Sequence, residues 1–175
     1  MPSSASPFTS RHNRTIPWAL LGGILSIYAL YVEHMVHRRQ THPEAEPFVA
    51  LCDIEQIGAS CSNVFQLPEG RMLTYFGIVP AGSILDVPNA ALGWVYYTIW
   101  IVVAPKLPSK LILLVASLAM ASSVWLAVQL LMLKELCLLC WSTHVINSRL
   151  WWCAFSNNRT SGAVSTPKEK KIKRV

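Results

Sequence analysis

The sequence predicts an all-α membrane protein, a four-transmembrane-helix bundle with a cap between the first and second helices. Three observations carry that reading. Of 175 residues, 53% are hydrophobic and only 14% charged, whereas soluble domains carry roughly 25% charged residues. The apolar residues lie in long runs, not on one stripe of each helix. Lysines and arginines collect on the side that holds both termini. The length suits one domain.

Residues 1–15 read as a flexible, Ser/Pro-rich cytosolic arm. The first span, 16–36, holds no charge from Ile16 to Val32 and extends past Glu33 and His34 toward an interface. No A-x-A cleavage pattern follows it, so it is expected to stay as an anchor and not to be removed as a signal peptide. Residues 37–88 form a loop or cap. The second span, 89–105, is short and aromatic and lies between Pro88 and Pro105; it needs borrowed length or a thin bilayer. The third, 111–133, is broken in polarity only by serines and Gln129. The fourth, 136–155, follows after Lys134 and Glu135 alone, so the third and fourth form a tight antiparallel hairpin. Residues 156–175 are a basic cytosolic tail.

With cytosolic termini, the cytosolic segments carry Arg11, Arg14, Lys106, Lys110, Arg159 and the lysines of the tail. Six of the nine acids, Glu44, Glu46, Asp53, Glu55, Glu69 and Asp86, then fall in the opposite loop. The net charge of +6 reflects topology and does not mark a nucleic-acid surface. The sequons at Asn13 and Asn158 fall on the cytosolic side and are expected to stay unmodified.

Five cysteines carry the chemistry. Cys137 and Cys140 form C-x-x-C at the start of the fourth span. Residues three apart share a helix face, and a helix N-terminus favours the thiolate, the reactive form. A structural disulfide, filler cysteines or half a metal site are the alternatives. A zinc site needs two further ligands at short spacing, which the pattern lacks, so no metal is expected. Cys52 and Cys61 lie in the acidic loop on the same, luminal, side, where a disulfide persists. By themselves they could be a structural staple; together, two pairs can pass electrons by exchange. Cys153, near the other membrane face, reads as structural.

A dithiol half sunk in a bilayer needs a redox partner that lives there. No G-x-G-x-x-G or Walker pattern indicates a nicotinamide or flavin, so no tightly bound cofactor is expected and a lipid-soluble quinone is the natural class. His144 lies four residues after Cys140, on the same helix face, and can donate to a quinone oxygen; the alternative is a packing histidine. Ser142, Thr143 and Asn147 read as helix-helix glue. The stretch 72–91 is apolar yet broken by Gly77, Pro80, Gly82 and Pro88, as suits a re-entrant or interfacial cap over a pocket. Asn89 stands at its mouth, to bind a ligand carbonyl or to cap the second helix.

The stretch ALCDIEQIGASCSNVF, the later SIL-x-x-x-N before an aromatic span, and CLLCWSTH followed by VIN closely resemble the vitamin K epoxide reductase family, over roughly residues 16–155. The resemblance implies a four-helix bundle in the endoplasmic reticulum membrane with a luminal cap. The implied activity is reduction of vitamin K epoxide and quinone, a naphthoquinone substrate, to the hydroquinone. It further implies that Cys140 attacks the substrate, that Cys137 resolves the adduct, that Cys61 exchanges with Cys137, and that Cys52 takes electrons from luminal thioredoxin-like proteins. Asn89 corresponds to a donor to the substrate ketone, and Val64, Phe65 and Tyr97 to pocket residues. His144 stands where the vertebrate members have a tyrosine that holds substrate and coumarin anticoagulants, a departure that bears on epoxide preference and warfarin sensitivity. The terminal Lys171-Ile172-Lys173-Arg174-Val175 resembles a K-x-K-x-x retrieval signal. Two other functions fit the same thiols: a quinone-linked oxidase that makes disulfides in luminal proteins, and a non-catalytic four-span scaffold.

Overall fold

The computed structural model describes residues 13–42, 44 and 48–172, with side chains as far as residue 160. Its helices are α1 (Ile16–Thr41), α2 (Cys61–Val64), α3 (Met72–Tyr75), α4 (Asn89–Val102), α5 (Ser109–Leu133) and α6 (Leu138–Ile172). Among the described residues there is no strand, only isolated bridges joining Ile54 to Ala59 and Ala59 to Leu136. The arm before residue 13 and the last three residues of the K-x-K-x-x motif lie outside the described residues.

Two of these helices, α1 and α5, are long and apolar enough to cross a membrane. Their faces show why they form and where they sit. On α1 the buried residues Ala19, Gly22, Ser26, Ala29, Val32 and Val36 recur every three or four positions, while Leu20, Leu21, Ile24 and Ile27 are exposed. On α5, Ile112, Ala116, Ser123 and Leu130 are buried and Leu114, Leu118 and Leu131 are exposed. The outer faces are as apolar as the inner ones, unlike those of a water-soluble protein, and small residues such as Ala19, Gly22, Ser26 and Ala116 recur on the inner faces; helices in lipid pack in that way, because small side chains let backbones approach.

The 14 residues of α4 reach about 21 Å at 1.5 Å per residue, short of a hydrocarbon core of roughly 30 Å. A 3-10 turn at Ala104–Lys106 extends it. The residues of the basic tail, from 156 on, continue α6 as helix to Ile172. Polarity ends a membrane span without ending a helix, and α6 runs on past Gly162 and Pro167.

In the bundle, α1 packs along α4 and α6, and α5 along α6. One buried cluster joins Ala19, Tyr97, Trp100, Ala116, Ile146 and Leu150; a second, at the cap end, joins Ala29, Val32, Val36, Leu130 and Leu139 with Cys61 and Cys137. The closest approach is at Gly22, where an added Cβ would meet the Tyr97 ring carbons at 2.5 Å. Tyr97 is 2% exposed, so its ring has little room to retreat. Gly22→Ala is therefore expected to destabilise the bundle by about 1–3 kcal/mol, the usual cost of overpacking, read as a lowered unfolding midpoint in detergent.

Candidate redox site

One carboxylate organises the loop that carries Cys61, and a backbone bond ties that loop to the hairpin before Cys137. Asp53 Oδ1 accepts hydrogen bonds from the backbone N–H groups of Cys61 (2.6 Å) and Ser62 (3.1 Å), and Oδ2 accepts from the Ser62 hydroxyl and the Ala50 N–H. Ser60 Oγ accepts from the Asn63 N–H at 3.2 Å, so the first turn of α2 is capped from two sides. The Ser60 N–H donates to the Leu136 carbonyl at 3.0 Å, stitching this loop to the hairpin that precedes Cys137. Sequence reasoning counted Asp53 only as one of the loop acids. Its place directly after Cys52 was the available signal.

Burial works against the charge on Asp53, but the Ser62 hydroxyl and the three N–H donors outweigh it and hold the carboxyl below the usual carboxylate range. A folded-state pKa below the unfolded value near 3.9 stabilises the fold at pH values above the latter. That contribution fades as the pH falls through the depressed value. The Cys61 loop is thus expected to keep its protection from proteolysis at neutral pH and to lose it only in acid below about pH 4. Asp53→Asn should weaken that protection already at pH 7, which limited proteolysis across the pH range would record.

Disulfides join Cys52 to Cys61 and Cys137 to Cys140, with Cα separations of 5.8 and 5.3 Å. Between the pairs, Cys137 Sγ lies 3.7 Å from Cys61 Sγ, and both residues are 0% exposed. The helix-face expectation for the C-x-x-C pair is refined here. Cys137 stands one residue before α6, and its Sγ accepts the Cys140 N–H at 3.2 Å, the role of an N-cap side chain. Cys137 accordingly faces Cys61, while Cys140 and His144 line a cavity of about 340 Å³. Cys153 belongs to neither disulfide and does not line the cavity; its Sγ accepts from Asn157.

The same cavity wall includes Asn89, Val64, Phe65 and Tyr97, so the five pocket residues expected from sequence surround one space with Cys140. Leu118 and Leu133 of α5 also line it and are exposed, which opens it toward the apolar outer surface. Asn89 does more than stand at the mouth. It is the first residue of α4 but does not cap it: its Oδ1 accepts from the Met72 N–H (2.9 Å) and its Nδ2 donates to the Glu69 carbonyl (2.7 Å). That leaves one amide hydrogen for a ligand. Arg71, 3.1 Å from Glu33 of α1 and 3.4 Å from Asp86, is a second tie between cap and bundle. The Thr74 hydroxyl and the Gly82 N–H, with Arg71, hold the Asp86 carboxyl below its ordinary pKa. Sequence reasoning missed this Glu33–Arg71–Asp86 cluster because its members are spread over more than fifty residues.

Among the described residues, Cys52, Asp53 and Cys61 bring potential metal ligand atoms within 4.8 Å of one another. The two sulfurs are bonded to each other, and Asp53 is engaged by hydrogen-bond donors. Those atoms are committed to the redox loop.

Two adjacent disulfides, one opening on an apolar cavity in a bundle with lipid-type faces, define a membrane thiol oxidoreductase. Comparison with known proteins agrees: the vitamin K epoxide reductase family model matches residues 15–155. The chain is similar to rat "Vitamin K epoxide reductase complex subunit 1", 33% identical over 144 residues, covering 78% of this chain and 83% of the relative. It is similar also to the mouse protein of that name, at 32% over 144 residues with the same coverage. The chain belongs to the vitamin K epoxide reductase family.

Proposed function

We propose that the protein is a four-span enzyme of the endoplasmic reticulum membrane, termini cytosolic and cap luminal, that reduces vitamin K epoxide and vitamin K quinone to the hydroquinone. The observation that carries this reading is the continuous sulfur path: Cys61 and Cys137 at 3.7 Å, with Cys140 on the cavity wall. On this reading residues 16–155 are the redox domain, crossing the bilayer at 16–36, 89–105, 111–133 and 136–155, with 37–88 as the cap.

A luminal thioredoxin-like dithiol attacks Cys52 and frees the Cys61 thiolate; the partner's second thiol then resolves that mixed disulfide, so the partner leaves as a disulfide and Cys52 is left as a thiol. Cys61 attacks Cys137 Sγ, forming a mixed disulfide and releasing the Cys140 thiolate into the cavity. Cys52 then displaces Cys137, leaving the loop oxidised and the C-x-x-C pair reduced. Cys140 attacks the bound substrate, and Cys137 displaces the adduct as the Cys137–Cys140 bond re-forms. Each turn moves two electrons and two protons: epoxide gives quinone and water, and quinone gives hydroquinone. Asn89 and His144 hold ring oxygens, Val64, Phe65 and Tyr97 enclose the ring, and the opening past Leu118 and Leu133 lets the isoprenoid tail lie in lipid. Coumarins, of similar shape, occupy the same cavity. A cavity of about 340 Å³ is within the ~300–1,000 Å³ range of small-molecule sites.

The test is turnover of vitamin K epoxide and of vitamin K quinone by the full chain in membranes, with dithiothreitol as reductant. Consumption of both is expected. Activity on quinone alone would redirect the reading to a quinone-linked oxidase, and activity on neither would overturn it.

A further inference from the structure

The polar groups on the wall of the cavity form a chain with a direction. The Tyr97 hydroxyl of α4 donates to Asn147 Oδ1 at 2.8 Å, Asn147 Nδ2 of α6 donates to Ser123 Oγ of α5 at 2.8 Å, and Ser123 Oγ lies 2.9 Å from His144 Nδ1. The far ring nitrogen, Nε2, is buried with no partner among the described residues, and His144 is 9% exposed. Its Nδ1 is occupied, and its Nε2 is the open end.

The direction follows from counting hydrogens. A buried phenol needs an acceptor for its one hydrogen, and Asn147 Oδ1 supplies it. With the amide turned over, two N–H donors would face the phenol oxygen and its hydrogen would have no acceptor. Asn147 therefore offers its NH₂ to Ser123. Ser123 Oγ, already accepting, has one hydrogen left to give, and His144 Nδ1 is there to take it. An imidazole that accepts at Nδ1 carries its proton on Nε2.

We propose that Tyr97, Asn147 and Ser123 fix His144 as its Nε2–H tautomer, making the ring a preset hydrogen-bond donor to a quinone oxygen bound beside Cys140. The quinone part rests on the function proposed above; the tautomer does not. Ser123 and Asn147 also line the cavity; their role in this relay is that of positioning residues, through the hydrogen bonds that orient His144. Helix-helix glue describes where Asn147 bonds but not what its polarity does. A donor of fixed sense at that position favours carbonyl-bearing ligands over the fully reduced ring, whose hydroxyls are donors themselves, and so aids product exchange.

The experiment uses the full chain in lipid nanodiscs with ring-¹⁵N-labelled histidine. The five histidines are resolved by the signal lost in His144→Gln. Nitrogen shifts of the Nε2–H form are expected for His144 in the wild type. In Ser123→Ala the two tautomers should mix, and KM for vitamin K quinone with dithiothreitol should rise about five- to tenfold with kcat changed less, the scale of one hydrogen bond. Ser123→Thr, which keeps the hydroxyl, should behave as wild type in both. An Nδ1–H signal in the wild type overturns the proposal whatever the variants do. So does an unchanged KM in Ser123→Ala while the wild type turns over, and that outcome leaves the redox function standing. A wild type inert toward quinone but with the Nε2–H signal sinks the quinone reading and keeps the tautomer relay.

Discussion

Cys140→Ser is expected to abolish quinone and epoxide turnover even when excess dithiothreitol bypasses every other thiol. The fall should be at least about a thousandfold, the scale on which loss of a covalent nucleophile registers. The reason is geometric: of the four paired cysteines, Cys140 alone lines the cavity, so no other sulfur can take over the attack. Cys153→Ser should leave turnover unchanged, since Cys153 lies outside the cavity wall and beyond either disulfide. The variant also separates chemistry from architecture. With Cys140 gone, Cys137 keeps a free thiol 3.7 Å from Cys61 and is placed to exchange with the loop disulfide. Peptide mapping under non-reducing conditions should then find a Cys61–Cys137 linkage absent from the wild type. Retained turnover in membranes holding folded Cys140→Ser would remove Cys140 as the nucleophile, whereas a non-catalytic scaffold would show no turnover in the wild type either.

Those two cysteine pairs were legible in the sequence because their spacing is a one-dimensional property. The pocket residues were legible through a resemblance that maps position to position, and the cavity joins residues drawn from the cap, α4 and α6. What the sequence did not disclose is how the pairs meet. The meeting depends on Asp53 gathering the N–H groups of Cys61 and Ser62 and on Ser60 bonding to Leu136, contacts between segments with no shared periodicity. The same holds for Cys137. Spacing alone put it on the face of a helix with Cys140 and His144, whereas as an N-cap it turns toward the loop, because a residue outside the first turn is free of the helical period. Likewise, Asn147 and Ser123 are unremarkable polar residues in apolar runs. Only the packing of α4, α5 and α6 around one cavity gives their hydrogen bonds a common direction.

Cys61→Ala should divide the reductants that the enzyme accepts. Dithiothreitol is small enough to reach the C-x-x-C pair through the cavity, so turnover with it should stay within about threefold of wild type, the scatter expected when thiol accessibility is unchanged. With a thioredoxin-like protein as the sole reductant, turnover should fall by roughly a hundredfold or more, because exchange needs direct sulfur contact. Cys137 is 0% exposed, and the bulk of a protein dithiol stops at the cap. Cys52, partly exposed, is where such a partner can begin, and Cys61 is what carries the electrons inward. The substitution also removes a disulfide closing a nine-residue separation, which costs about 2–3 kcal/mol in the chain-entropy account. A lowered unfolding midpoint is therefore expected, and the dithiothreitol rate serves as the control for folding. If the protein reductant drives Cys61→Ala as fast as wild type, the sulfur path through the cap is not the route, and Cys52–Cys61 is a staple. Equal loss with both reductants would instead mean that the loop holds the cavity together and that its thiols relay nothing.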